Sequence, residues 1–336
     1  MKIITIIGAG MMGSAMSFPA SDNGYEVHLV GTPLDREIIA RAKEDGYHMT
    51  LKRRLPENVK CYQVEELECA SENSCLVIGG VSSFGIDWFA DEVLPRLSDS
   101  VPLLFITKGL KSNEHGKLIP FPVWLKSLPA GSNKSINAVG GPCISFELAD
   151  RQHTQVAFCG DNIDTLKKIK TMLATEYYHI TPTTDICGIE TAVAMKNAYA
   201  MGVSLAIGIA QKQDSSAPEK YNPQAGLFYR SVKEMDALIE LAGGRRDALY
   251  FGAGDLYVTV FGGRTRRLGT LFGKGYTYTE AVEELAGVTL ESVAITKTVC
   301  GALNKIGAMD NYPLLKYLFS LINENPSQLP WDSFCG

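Results

Sequence analysis

Two lysines, an aspartate and a run of arginines occupy positions where their charge has to be used. Lys196 lies inside the apolar stretch from Thr191 to Ala210, rich in Ala, Val and Met, where a charge is costly to bury unless it is paired or at work. Thr107-Lys108-Gly109-Leu110 follows the apolar run Leu103 to Ile106, which puts Lys108 at the carboxyl end of a strand, where open α/β sheets bind ligands. In Gly252-Ala253-Gly254-Asp255 the glycines let backbone come close to the acid. Gly262-Gly263-Arg264-Thr265-Arg266-Arg267 reads as a glycine loop whose clustered guanidinium groups suit an anion.

A second kind of chemistry is written near the N-terminus. Gly8-Ala9-Gly10-Met11-Met12-Gly13 is G-x-G-x-x-G, directly after the β-branched run Lys2 to Ile7 and directly before a helical segment. The first glycine permits a tight turn, the second removes a side chain where a pyrophosphate approaches, and the third lets helix and strand pack closely. A dinucleotide site is therefore expected. The second strand ends in Leu29-Val30-Gly31-Thr32, without the Asp or Glu that grips an NAD ribose. Gly31 with the Thr32 hydroxyl leaves room for a 2′-phosphate that Arg36 could reach, so NADP is favoured and NAD stays open.

These residues need a scaffold, and the pattern supplies one. Strands are expected at Lys2 to Ile7, Glu26 to Val30, Cys75 to Gly79, Pro102 to Ile106, Ser135 to Val139 and Gln155 to Cys159, with a helix from Met12 to Asn23 stopped by Gly24. Alternating strands and helices imply a Rossmann-like, doubly wound α/β sheet over residues 1–185. Beyond that the strand pattern stops. Helical periodicity takes over at Gly188 to Gln213, Gly226 to Ala242, Thr279 to Leu285, Ser292 to Lys305 and Tyr312 to Asn323, predicting an all-α domain over residues 186–336, with a loop from Gln213 to Gln224.

Composition narrows the partners. With 336 residues, two domains are expected, and 46% hydrophobic with 21% charged residues is ordinary for a globular enzyme. A net charge of −5 leaves no basic excess for a nucleic-acid backbone, so no nucleic-acid partner is expected. The eight cysteines are scattered without a C-x-x-C pair and read as reduced thiols of a cytoplasmic protein. The five histidines, His28, His48, His115, His153 and His179, show no metal-ligand spacing. Lys196 and Asn197 make the apolar stretch around them a buried helix and no membrane span.

Taken in order, the motifs Gly8-Ala9-Gly10-Met11-Met12-Gly13, Thr107-Lys108-Gly109-Leu110, Gly141-Pro142, Gly188-Ile189-Glu190, Met195-Lys196-Asn197, Gly252-Ala253-Gly254-Asp255-Leu256 with Thr259, and Gly263-Arg264 run over nearly the whole chain. In this the sequence resembles the soluble NAD(P)-dependent glycerol-3-phosphate dehydrogenases. The resemblance implies reduction of dihydroxyacetone phosphate with Lys196 as proton donor, oriented by Asp255, and with Lys108 helping to hold the substrate. It implies further that Asn197 and Thr259 complete the substrate site, that Arg264 with Thr265 meets the substrate phosphate, and that a homodimer is open. Gly8, Gly10, Met11, Met12, Gly13, Thr32, Arg36, Lys108 and Glu291 are the implied cofactor contacts. Three positions depart from the family pattern. Thr265 replaces the asparagine that usually follows the arginine, Cys143-Ile144-Ser145-Phe146-Glu147 lacks the usual basic residue, and Glu291-Ser292 stands for Glu-Gly. A relative acting on another small hydroxy-ketone or sugar phosphate would carry the same lysines. A nucleotide-binding sensor would have no use for them.

Overall fold

The computed structural model describes residues 2–214, 218–285, 290–323 and 328–334. Contacts divide the chain into two compact units, one of residues 1–108 and 120–186, the other of residues 109–119 and 187–336.

The first unit is built on β1 (Ile3–Ile7), β2 (Glu26–Val30), β3 (Val59–Tyr62), β4 (Ser74–Gly79), β5 (Leu103–Phe105), β6 (Ile136–Gly140), β7 (Thr154–Gly160) and β8 (Tyr178–Thr183). Their order across the sheet is β8-β7-β6-β5-β4-β1-β2-β3. Pairing is parallel except between β6 and β7. The order 3-2-1-4-5-6 is that of dinucleotide-binding sheets, and it reverses direction between β1 and β4. Ile4 and Ile6 of β1, Val27 and Leu29 of β2, and Leu76 and Ile78 of β4 are wholly buried, which explains the apolar runs. Between β1 and β2 lie α1 (Met11–Ala15) and α2 (Ser17–Asp22), a single helical run with a break at Met16, followed after β2 by α3 (Arg36–Asp45). The expected α/β sheet is thus present, with two strands, β3 and β8, that the sequence pattern did not reveal.

The second unit is helical: α4 (Ile186–Gln213), α5 (Tyr221–Leu241), α6 (Ala248–Val260), α7 (Gly263–Lys274), α8 (Tyr278–Glu284), α9 (Glu291–Lys305) and α10 (Pro313–Ile322). Of the loop expected between Gln213 and Gln224, residues 215–217 lie outside the described residues, and α5 begins already at Tyr221. By length and composition α4 could cross a membrane, but 83% of its most apolar window is buried inside the protein. A buried ion pair ties the bundle together. Glu234 of α5 pairs with Arg230 at 2.9 Å and accepts from Leu314 N at 2.7 Å and Leu315 N at 3.1 Å, two donors that the start of α10 would otherwise leave unpaired. The excursion at residues 109–119 packs on α9, where Lys305 Nζ donates to Asn113 O at 3.1 Å.

Candidate active site

In the first unit β1 runs into the glycine turn. Gly8 takes φ +111°, which a side chain would make strained, and its N–H donates to Val30 O at 2.8 Å. A Cβ on Gly8 would fall 2.7 Å from the Gly80 carbonyl carbon at the end of β4, and one on Gly13 would fall 2.1 Å from Gly8 O. Packing therefore demands both glycines. Gly10 is different, because nothing lies within 4 Å of where its Cβ would stand. It opens on space at the start of α1, whose first N–H groups have no partner within the helix. Met11, exposed, and Met12, half-buried, follow it. This cradle, which a side chain at position 10 would fill, fits the pyrophosphate of a dinucleotide.

At the end of β2 the structure explains the missing acid. A Cβ on Gly31 would lie 2.6 Å from Ile39 Cγ1, so α3 approaches too closely for any larger residue. Asp35, four residues on, turns its carboxylate back instead. Its Oδ2 accepts from Thr32 N at 2.8 Å, Thr32 Oγ1 at 2.7 Å and Ala9 N at 3.1 Å. The Thr32 hydroxyl is thus already donating, and the exposed Arg36 guanidinium pairs with Glu65. Lys108 follows β5 as expected, half-buried, with Nζ donating to Gly141 O at 3.1 Å where β6 ends. Phe146 is exposed in the first turn of a short helix, Ser145–Ala149.

The second unit holds the other constellation. Lys196 in mid-α4 donates from Nζ to Asp255 Oδ1 of α6 at 3.0 Å, with the lysine 19% exposed and the aspartate wholly buried. The costly charge is paired. One turn along α6, the Thr259 hydroxyl donates to Asp255 O at 2.6 Å, which leaves its oxygen lone pairs for an outside donor. Asn197 Nδ2 donates to Glu291 Oε2 at 3.2 Å, linking α4 to the first residue of α9. Asn197, Thr259, Arg264, Thr265 and Glu291 line one cavity of about 180 Å³, which also touches Gly262, Gly263, Leu290 and Ser292.

The loop expected at Gly262 to Arg267 is a correction. Only the glycines turn the chain, Gly263 with φ +82°, and the arginines already belong to α7. Leu268 and Phe272, four residues apart and buried, hold that helix down. Arg266 donates to Val260 O at 2.9 Å at the end of α6 and pairs with Glu219, so its guanidinium serves the fold. Arg264, in the first turn of α7, is exposed and makes no ion pair among the described residues. An exposed guanidinium at a cavity wall is a donor set of the kind that binds anions.

Sequence reasoning missed Asp35 and His48. The fully buried His48 donates from Nε2 to Ala9 O at 2.9 Å, 39 residues away, and no local pattern marks so distant a pairing. Seven free cysteines are described and Cys335 lies outside the described residues; burial pushes the Cys61 thiol up to about 11 and Cys300 to about 12, so neither is a nucleophile at neutral pH.

Comparison with known proteins identifies a family. A profile described as the N-terminus of NAD-dependent glycerol-3-phosphate dehydrogenase matches residues 3–165, and one for its C-terminus matches residues 185–329. The chain is 36% identical over 286 residues to the NADP(+)-dependent glycerol-3-phosphate dehydrogenase of Archaeoglobus fulgidus, covering 84% of this chain and 83% of that protein. It is 26% identical over 327 residues to glycerol-3-phosphate dehydrogenase [NAD(P)+] of Lactococcus lactis subsp. cremoris, covering 96% and 91%. In fold it is similar to the crystal structure of glycerol-3-phosphate dehydrogenase from Coxiella burnetii, with a TM-score of 0.83, 21% identity, and coverage of 99% and 98%.

Proposed function

The chain belongs to the NAD-dependent glycerol-3-phosphate dehydrogenase family, and from that premise we propose that it interconverts dihydroxyacetone phosphate and glycerol 3-phosphate, with NADPH preferred to NADH. The observation that carries this reading is the Lys196–Asp255 pair on α4 and α6, in the unit whose cavity presents Arg264.

The glycine turn holds the coenzyme pyrophosphate, with Gly10 leaving room for it and the N–H groups of Met11, Met12 and Gly13 facing it. When bound, the nicotinamide supplies the hydride that reaches the carbonyl carbon. Lys196 meets the growing negative charge on the carbonyl oxygen and passes its proton there. Asp255, wholly buried and 3.0 Å away, directs that ammonium. Lys108, steadied by Gly141 O, holds the substrate. Arg264 takes the substrate phosphate, assisted by the Thr265 hydroxyl, and Asn197 and Thr259 complete the polar wall.

The preference for NADPH rests on Gly31 and Asp35. Position 31 has no space for a ribose-binding acid, and the only carboxylate of that loop spends one oxygen on Ala9 and Thr32. Initial rates with dihydroxyacetone phosphate and each coenzyme test the proposal: NADPH should give the higher kcat/KM, and a protein that ignores this ketone but reduces another phosphorylated hydroxy-ketone would move the substrate assignment to that compound.

A further inference from the structure

The glycine turn can present N–H groups to a ligand only if its own peptides are kept from rotating, and two side chains distant in sequence hold them. Ala9 is wholly buried between its neighbours. Its N–H, on the peptide shared with Gly8, donates to Asp35 Oδ2 at 3.1 Å. Its carbonyl, on the peptide shared with Gly10, accepts from His48 Nε2 at 2.9 Å. The tautomer follows from the other ring nitrogen. Leu51 N–H can only donate, and it lies 3.0 Å from His48 Nδ1, so Nδ1 is bare and the proton sits on Nε2. Burial also holds the imidazole below its ordinary pKa, which keeps the ring neutral.

The consequence concerns Gly10. The peptide is trans, so the Gly10 N–H points opposite to the Ala9 carbonyl. With that carbonyl drawn inward to His48, the Gly10 N–H is turned away from His48, at a residue where no protein atom stands within 4 Å of a Cβ. The two holding groups come from opposite ends of α3: Asp35 immediately precedes it, and His48 lies in the short hairpin that follows it.

We propose that His48 and Asp35 are positioning residues for coenzyme binding, fixing the two peptides of Ala9 so that the Gly10 N–H meets the pyrophosphate of the dinucleotide. This rests on the reading of the glycine turn as the coenzyme site. It goes further by assigning orientation of the turn to a histidine that does not itself touch the ligand.

The test compares His48→Phe, which keeps the ring and loses both nitrogens, with His48→Gln, which keeps a donor, and with Asp35→Ala. Each variant is titrated, as the folded 336-residue chain, with NADPH, ADP-ribose and AMP. Losing the hold should weaken NADPH and ADP-ribose about five- to tenfold, the worth of one imperfectly presented hydrogen bond to a charged group. In the His48 variants AMP, which lacks a pyrophosphate, should bind nearly as before, the KM for dihydroxyacetone phosphate should stay put, and His48→Gln should recover much of the loss. A general softening of the fold would weaken all three ligands and raise both KM values together, and would overturn the proposal. So would a folded His48→Phe with parental NADPH affinity. If His48→Phe does not fold, His48→Leu, which also loses both ring nitrogens, decides by the same pattern. Gly10→Val keeps the two failures apart: if it binds NADPH normally, the glycine turn is not the coenzyme site, whereas if it abolishes binding while the His48 variants do nothing, only the clamp is wrong.

Discussion

Replacing Lys196 by methionine removes the ammonium and keeps most of the stem, and two separable losses follow. Asp255 is wholly buried and Lys196 is 19% exposed, with Nζ and Oδ1 3.0 Å apart. Taking one partner from a buried pair costs about 3–5 kcal/mol, and the partial exposure of the lysine places this pair at the lower end, about 3 kcal/mol. For a domain of this size that corresponds to a Tm lower by roughly 6–12 °C. Loss of a general acid should lower kcat by about 10²- to 10⁴-fold, with NADPH affinity unchanged because the glycine turn is untouched. Adding Asp255→Asn removes the buried negative charge, so the double variant should regain much of the stability and none of the turnover. Urea unfolding and initial rates at saturating substrate read the two effects independently. A Lys196→Met enzyme with near-parental kcat would refute the proton-donor role. A double variant as unstable as the single one would show that packing of the lysine stem, and not the buried carboxylate charge, accounts for the loss.

Three further outcomes are expected. Gly10→Val should abolish NADPH binding in a fluorescence titration while leaving the far-ultraviolet circular dichroism intact, because a Cβ there meets no protein atom within 4 Å and the side chain would occupy the open cradle. Arg264→Ala should reduce kcat/KM by about a hundredfold or more, as expected for losing a charge-assisted fork, while Thr265→Asn should lower the KM for dihydroxyacetone phosphate; an unchanged kcat/KM in the first would remove Arg264 from the phosphate site. Hydrogen bonding to Arg151 holds the Asp22 carboxyl below its ordinary value, so the stability it contributes is present above the unfolded carboxylate pKa and is lost as pH falls through the lower folded one. Asp22→Asn should therefore flatten the acid limb of a Tm-against-pH curve, and identical limbs in both proteins would contradict this.

The buried strands were legible because burial on both faces demands apolar runs: β1, β2 and β4 lie within a residue of their expected bounds. The edge strands were not. No residue of β3 is buried and Lys60 is exposed, while in β8 His179 and Thr181 face water and Pro182 follows, so neither shows a run to count. Glycine and charge disguised the start of α7, where the spacing of Leu268 and Phe272 was the usable sign. Lys196 was readable as a charge in an apolar helix, and Asp255 as an acid among glycines, but their pairing across 59 residues is a product of packing. The same holds for His48 and Asp35 converging on Ala9. Thr32 and Arg36 show the converse: suitable residue types at a suitable place, whose polar groups the fold has already engaged with Asp35 and Glu65.

The most direct measurement is the loss of NADPH absorbance when the purified protein is mixed with dihydroxyacetone phosphate, with glycerol 3-phosphate identified as the product. The account predicts saturable turnover that Lys196→Met and Arg264→Ala each suppress, the first in kcat and the second mainly in KM. Absence of turnover with either coenzyme, in a protein that nonetheless binds NADPH, would contradict it.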